Sequence, residues 1–422
     1  MLCLLAVAVL AGPARGQTSD AALRDRVNQL IERLDAPKVE ARNAAQESLI
    51  KLGPRILPLL PDAAKVTSEE RKNRLEKVRQ ALHEAQDATN LGATKITLKG
   101  SGIRLSEIIQ KLQAQSNNVI TDIREQEGAE AANPALDVDI VDKPFFEAVD
   151  IIAKQAEVTP NFYTGDGSVG ITAGKPPEKP LVQYVGPFRV AFKQVAASRD
   201  LQTGATSANA QLEVAWEPRL RPMLLALKTD DLKIKDDQGK EIMAQVMDQS
   251  TDVVLRPDNP AAEVNINLSA PERGAKKLAS FKVKADVTVP AALKTFRFNT
   301  LAVKSPETIK QGDIGVTLED TEVDEQVWKV NVTLAYPGEG PAFESYRQGL
   351  FNNRLWLQKA DGSRFEHNGG FSNTASDGGK LGFEYLFVDA PGKPSDYGLV
   401  YETPSKVLTI PLEFEFKDVP LP

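Results

Sequence analysis

Phe281-Lys282-Val283-Lys284-Ala285-Asp286-Val287-Thr288-Val289 alternates apolar and polar residues without a break. A period of two puts every second side chain on one face of an extended chain, so the stretch reads as a strand with one buried face. The same period recurs at Leu212, Val214 and Trp216, and at Trp328, Val330, Val332, Leu334 and Tyr336. It returns at Leu408, Ile410, Leu412, Phe414 and Phe416. Strands that each bury one face belong to antiparallel sandwiches.

Two such regions look like copies. One opens on Gly186-Pro187-Phe188-Arg189-Val190 and the other on Gly312-Asp313-Ile314-Gly315-Val316. Each has a strand running into Pro, at Pro218 and at Pro337, then a polar hairpin, at Asp237-Gln238-Gly239-Lys240 and at Asp361-Gly362-Ser363-Arg364. Each ends in an F-x-F strand, Phe296-Arg297-Phe298 and Phe414-Glu415-Phe416. This pattern predicts tandem Ig-like β-sandwiches over residues 183–304 and 305–422, with a boundary near Ser305-Pro306.

Upstream, Lys175-Pro176-Pro177-Glu178-Lys179-Pro180 marks a Pro-rich linker over residues 175–182. Before it, residues 94–174 spell strand–helix–strand twice. The first copy has Lys95-Ile96-Thr97-Leu98, a helical face of Leu105, Ile108, Ile109 and Leu112, and Val119-Ile120-Thr121. The second has Leu136, Val138 and Ile140, a helix opened by Pro144, and strands near Phe162-Tyr163 and Val169-Ile171. Two such units in so short a span make a compact α+β module. With Leu136-Asp137-Val138-Asp139-Ile140 and Pro144-Phe145-Phe146-Glu147-Ala148-Val149-Asp150, it resembles the short N-terminal domain of secretins and TonB-dependent receptors. That resemblance implies a periplasmic signalling or assembly module that holds a peptide or a partner domain. No secretin barrel, plug or β-barrel pattern follows it, so it bears on fold more than on task.

Residues 17–90 read as helices. Leu23, Val27, Leu30, Ile31 and Leu34 stand at helical spacing. Ala41, Ala44, Ala45, Leu49 and Leu52 form a second face that stops at Gly53-Pro54, and Leu75, Val78 and Leu82 form the stripe of a charged helix. Val39 to Gly53 resembles a HEAT-type repeat, in which helix pairs stack on one another. A stable solenoid needs roughly three repeats and one or two can be counted, so a helical hairpin is the simpler expectation. The fold class is therefore multi-domain α+β: N-terminal helical hairpins, a small module with βαβ written twice, and two antiparallel sandwiches.

Leu2 to Ala11 form an apolar run followed by Ala14-Arg15-Gly16, which reads as a secretory signal over residues 1–16 with cleavage before Gln17, although no Lys or Arg precedes the run. The run is too short to span a bilayer, and no later stretch approaches that length. The expected location is periplasmic or secreted. Cys3, the single cysteine, would leave with the signal, so the mature chain would hold no thiol or disulfide and would rely on packed cores. The formal charge of −7 gives no electrostatic reason to bind nucleic acid or anionic lipid.

Catalysis needs a nucleophile, a tuned acid or base, or a metal. Only His83 and His367 are present, far apart and without metal-spaced partners, and no phosphate loop, dinucleotide fingerprint or nucleophile elbow occurs. Gly165-Asp166-Gly167-Ser168-Val169-Gly170 spaces glycines but lies between strands, as a hairpin turn does. No catalytic residue, metal site or cofactor is expected. Trp216 and Trp328 are in phase with core positions, whereas Trp356 is out of phase with Leu355 and Leu357 and is the one to inspect for exposure, with a core position an equal expectation. The module at 94–174 is acidic, with 7 basic and 12 acidic residues, and Asp137 and Asp139 project from one face of a strand. Small mixed sheets leave edges open to an added strand. The expectation is an envelope binding or scaffolding protein that is not an enzyme and contacts another envelope polypeptide, with Asp137 and Asp139 as contact residues. A carbohydrate-binding or adhesive module, and an envelope hydrolase with an unrecognised carboxylate site, are the alternatives.

Overall fold

The alternating stretch at 281–289 lies inside β13 (Lys277–Phe298), which runs antiparallel to β21 (Tyr397–Pro420) from Lys277 opposite Pro420 to Phe298 opposite Leu399. The computed structural model describes residues 15–61, 66–129, 131–245, 250–336, 353–377 and 379–422. The chain is α+β, with a few N-terminal helices followed by several mainly antiparallel sheets. It divides into two compact units, residues 1–92 and residues 93–422. The signal-type segment read over residues 1–16 lies outside the described residues, except for its last two positions.

The first unit holds α1 (Arg15–Arg33), α2 (Val39–Lys51), a 3-10 turn at Pro54–Leu59 and α3 (Glu69–Leu91). Its core gathers Val27, Ile31 and Leu34 with Ala45, Leu49, Ile56, Leu75, Val78 and Leu82. The apolar face expected on α2 is narrower than the sequence suggests: Ala45 and Leu49 are buried, whereas Ala41 and Ala44 face water. Alanine has the highest helix propensity and gains little by burial, so its spacing reports helix formation better than it reports the packed side. Gly53 stops the helix at φ 78°, a left-handed conformation that costs glycine little, and Pro54 opens the next turn.

In the second unit, β1 (Lys95–Arg104) leads into α4 (Leu105–Ser116) and β2 (Ile120–Asp122), and β3 (Ala135–Pro144) leads into α5 (Phe145–Ala156) and β4 (Val158–Asn161); β5 (Val169–Ala173) follows. β1 pairs antiparallel with β3, while β5 lies between β2, to which it is parallel, and β4. Ile96, Leu98, Val138 and Ile140 face the apolar sides of α4 and α5 in one core. β4 lies a few residues before its expected place near Phe162-Tyr163. Phe162 leaves the ladder and tucks its ring against Phe146, 5.6 Å between centroids.

Three further sheets complete the unit. One has the order β12 (Ala261–Ser269), β8 (Thr206–Trp216), β7 (Phe188–Arg199), β6 (Val182–Val185). The largest runs β11 (Ser250–Val254), β9 (Leu224–Lys228), β13, β21, β17 (Arg354–Lys359), β18 (Arg364–Glu366), with β10 (Lys233–Asp236) also on β13. The third has the order β14 (Glu307–Gln311), β15 (Ile314–Asp324), β16 (Val327–Ala335), β20 (Lys380–Val388), β19 (Phe371–Asp377).

The largest sheet faces both of the others, and here the structure departs from two separate sandwiches meeting near Ser305-Pro306. Phe192 on β7 packs edge-on against Phe281 of β13 and Phe416 of β21, at 5.1 and 5.4 Å. Phe296 and Phe298, at the other end of β13, join Trp328, Phe383 and Tyr401 in a different core. The two F-x-F strands are thus exchanged: the earlier closes the later core and the later closes the earlier one. The reason is strand length. At about 3.3 Å per residue each strand reaches about 70 Å, several times an ordinary sandwich strand. The register slips at Pro290 and Ala292, where the ribbon passes from one core to the next.

Candidate ligand cleft at the ribbon crossover

Where the ribbon crosses, the second unit carries a cleft of about 820 Å³. Its walls come from the 94–174 module and from both sheet pairs.

One wall is built by the five residues after β8. Glu217 is fully buried and its carboxylate accepts the Thr94 N–H at 2.7 Å, the Thr94 hydroxyl at 2.5 Å, Asn118 Nδ2 at 3.1 Å and Arg219 Nε at 2.7 Å. Asn118 Oδ1 in turn accepts the Arg219 N–H at 3.0 Å. A buried carboxylate persists only when its lone pairs are used, and four donors use them. The 3-10 turn Pro218–Leu220 then delivers Arg221, in the left-handed region at φ 49°, to the cleft rim.

The opposite wall is the turn between β4 and β5. The Asp166 carboxylate accepts the Ser168 N–H at 2.9 Å and the Thr164 hydroxyl at 2.7 Å. Burial opposes ionisation of Asp166, but the bonds from Ser168 and Thr164 outweigh it and hold the carboxyl below the usual range. The turn docks on the segment before β12: Gly165 N–H donates to Asn259 Oδ1 at 3.1 Å and Gly167 N–H to the Asp258 carbonyl at 2.7 Å. A second contact fixes the module: Asp150 on α5 accepts the Tyr184 hydroxyl at 2.6 Å and Arg189 Nε at 2.8 Å.

Val119, Leu293 and Phe371 line the cleft and are exposed by 55, 45 and 41%, three of the larger apolar side chains left in water. Grouped exposed apolar side chains mark contact sites more often than scattered ones do. Arg354, half-buried, stacks over Trp356 with its guanidinium 5.8 Å from the ring. Among the described residues neither Arg354 nor Arg221 forms a hydrogen bond or ion pair through its guanidinium. Crowding by protein, then the Arg354 charge, lowers the Arg221 pKa, while Glu402 acts the other way. An arginine still keeps its proton in any such setting.

The contact residues expected from sequence lie elsewhere. Asp137 and Asp139 occupy the exposed face of β3, where Asp137 Oδ1 accepts the Gly102 N–H at 2.9 Å and Asp139 pairs with Lys99 at 3.2 Å. They share a face, and each is already engaged by β1. His83 is exposed on α3; His367 lies half-buried in the cleft wall, its Nε2 2.7 Å from the Gly370 carbonyl and its ring against Tyr385. Trp216 and Trp328 are buried, and so is Trp356, which lies beneath Arg364 at 4.5 Å. Sequence reasoning missed Glu217, Arg219, Arg221 and Arg354. The only local hint is the spacing Glu217-Pro218-Arg219-Leu220-Arg221 directly after a strand. Among the described residues no group of three His, Cys, Asp or Glu could hold a metal ion, and no helix is long and apolar enough to cross a membrane. No protein-family model matches the chain, and no curated protein matches it.

Proposed function

We propose that the protein is an exported cell-envelope component that binds or scaffolds another polypeptide through contacts alone, without catalysis. The observation that carries the reading is the cleft, whose exposed Val119, Leu293 and Phe371 sit beside cationic side chains on walls held by buried polar bonds. A rigid concave surface with apolar anchors and a few fixed polar groups suits recognition of a chain. The apolar run at Leu2 to Ala11 supports export, and the secretin-like pattern of the 94–174 module supports a contact role. The exposed outer face of β1 and β3, with Asp137 and Asp139, is the second surface a partner would meet, since these two strands form a sheet of their own.

A photo-cross-linking residue at Val119 tests the reading in cells. The expected product is an adduct with a second polypeptide, identified by mass spectrometry. The same probe at Thr97 reports on the β1 surface. Absence of an adduct from both positions in a folded, exported protein would refute the reading.

A further inference from the structure

A small pocket shares Arg221, Leu293, Asn353 and Arg354 with the cleft. Its volume is about 50 Å³, with walls of Met223, Leu255, Leu293 and several prolines. A water needs roughly 10–15 Å³ by this kind of measure, so the pocket has room for a small aliphatic side chain. Four polar side chains also line it: Arg221, Arg354, Asn353 and Glu402. Two guanidiniums against one carboxylate leave the lining cationic, and Glu402 forms no ion pair with either among the described residues, accepting instead from the Thr295 hydroxyl at 3.4 Å. Two unpaired cations held together repel one another, and an anion between them would relieve that repulsion.

Asn353 adds a second requirement. Its Nδ2 donates to the Tyr401 hydroxyl at 3.0 Å and to the Thr403 hydroxyl at 2.8 Å, which spends both amide hydrogens. Its Oδ1 has no partner among the described residues and remains an acceptor in a residue that lines the pocket. The site therefore combines a place for an anion, an acceptor for an N–H and an apolar recess. A chain terminus supplies all three: a free carboxylate, the N–H of the last residue and an aliphatic side chain. A fatty acid supplies the first and third only.

We propose that this pocket receives the free C-terminal carboxylate of a polypeptide that ends in an aliphatic residue. The carboxylate lies between Arg221 and Arg354, the terminal N–H donates to Asn353 Oδ1, and the side chain enters the recess lined by Met223 and Leu255. This assignment rests on the reading of the protein as a polypeptide binder.

The test uses the full mature chain and a fluorescein-labelled alanine peptide ending in leucine, read by anisotropy. The free acid should bind saturably, and its C-terminal amide about tenfold more weakly or worse, as expected when charge-assisted hydrogen bonds are lost. Arg221→Gln and Arg354→Gln should each weaken the free acid by a similar factor; Arg221→Gln should leave the thermal midpoint close to that of the wild type, and Arg354→Gln should lower it slightly, because its stacking on Trp356 is lost. Octanoate should compete poorly. Equal binding of acid and amide, no binding of either, or full displacement by octanoate at the peptide's own concentration would each overturn the assignment. If the Val119 cross-link persists in the Arg221→Gln/Arg354→Gln double variant, the wider reading stands and the terminus assignment falls.

Discussion

Glu217 and Thr94, 123 residues apart, are joined by two hydrogen bonds, the Thr94 N–H and its hydroxyl both donating to one buried carboxylate. This pair ties the start of the 94–174 module to the end of β8, so the Pro-rich linker is not the only connection between the two. Replacing Glu217 by Ala would strand the donors of Thr94 and Asn118, while Arg219 Nε would keep only its bond to the Thr94 hydroxyl, 3.0 Å away, from this network. Breaking a buried charged network from one side costs about 3–5 kcal/mol. Urea unfolding of Glu217→Ala should show a loss of that order, and a loss under about 1 kcal/mol would mean that water replaces the carboxylate freely.

The linker itself is exposed at Pro177 and Pro180. A protease should still cut there, since an exposed Pro-rich segment carries few contacts. The two fragments should nonetheless elute together on gel filtration, held by Glu217, by Asp150 with Arg189, and by the Gly167 turn. Separation of the fragments under native conditions would show that these contacts do not suffice.

The exchanged F-x-F strands make a prediction that two separate sandwiches would not. Phe416 closes the core around Phe192 and Phe281. Removing residues 407–420 should therefore raise amide exchange in β7, more than 200 residues earlier in the chain, while β16 and β20 stay protected. Phe416→Ala should cost about 3–5 kcal/mol, the range for a truncated core phenylalanine. Loss of protection in β16 instead of β7 would contradict the crossover.

Much of this fold is legible from period alone, because a strand with one wet face must alternate. Alternation names the face of a strand but not its neighbour. Val283, Val287 and Val289 would look the same beside any partner, and Phe298 and Phe416 carry the same local signature although each serves the other's core. Long-range pairing depends on which surfaces exclude water together, which no local pattern records. The cleft was less legible still. Arg221 and Arg354 meet only because the ribbon brings β17 beside the turn after β8, and isolated arginines have no period. Asp137 and Asp139 were visible as a same-face pair, but their engagement by Gly102 and Lys99 follows from the β1–β3 register.

One pH-dependent contribution to stability is expected at Asp122. Its carboxylate accepts Arg124 Nε at 2.9 Å and pairs with Arg124 Nη2 at 2.6 Å, and the bond from Arg124 holds its pKa below the ordinary value. A carboxyl whose folded pKa is depressed binds fewer protons folded than unfolded as pH falls past about 3.9. Its contribution is therefore complete above that pH and is lost as pH falls through the folded value. The wild type should exceed Asp122→Asn in urea midpoint at neutral pH, and the two should converge in acid. A gap that stayed constant across that window would assign the effect to packing.

Gly167 lies in the turn that forms one cleft wall. It sits at φ +78°, and a Cβ built there would lie 2.7 Å from the Pro257 carbonyl oxygen. Its N–H also donates to the Asp258 carbonyl at 2.7 Å, so backbone approach and hydrogen bond depend on the same missing side chain. Alanine at this position would meet two costs, the left-handed conformation at about 1 kcal/mol and the displacement of the 257–259 segment. Gly167→Ala should therefore destabilise by roughly 1–3 kcal/mol, the range for a strained backbone position. It should also widen the cleft, seen as faster exchange at Gly165 and Asn259 with α4 and α5 unaffected. Gly165 lies in the same turn at φ +77° with nothing near its absent Cβ. Gly165→Ala should show the conformational cost alone, so equal losses in the two variants would mean that the contact with Pro257 contributes nothing.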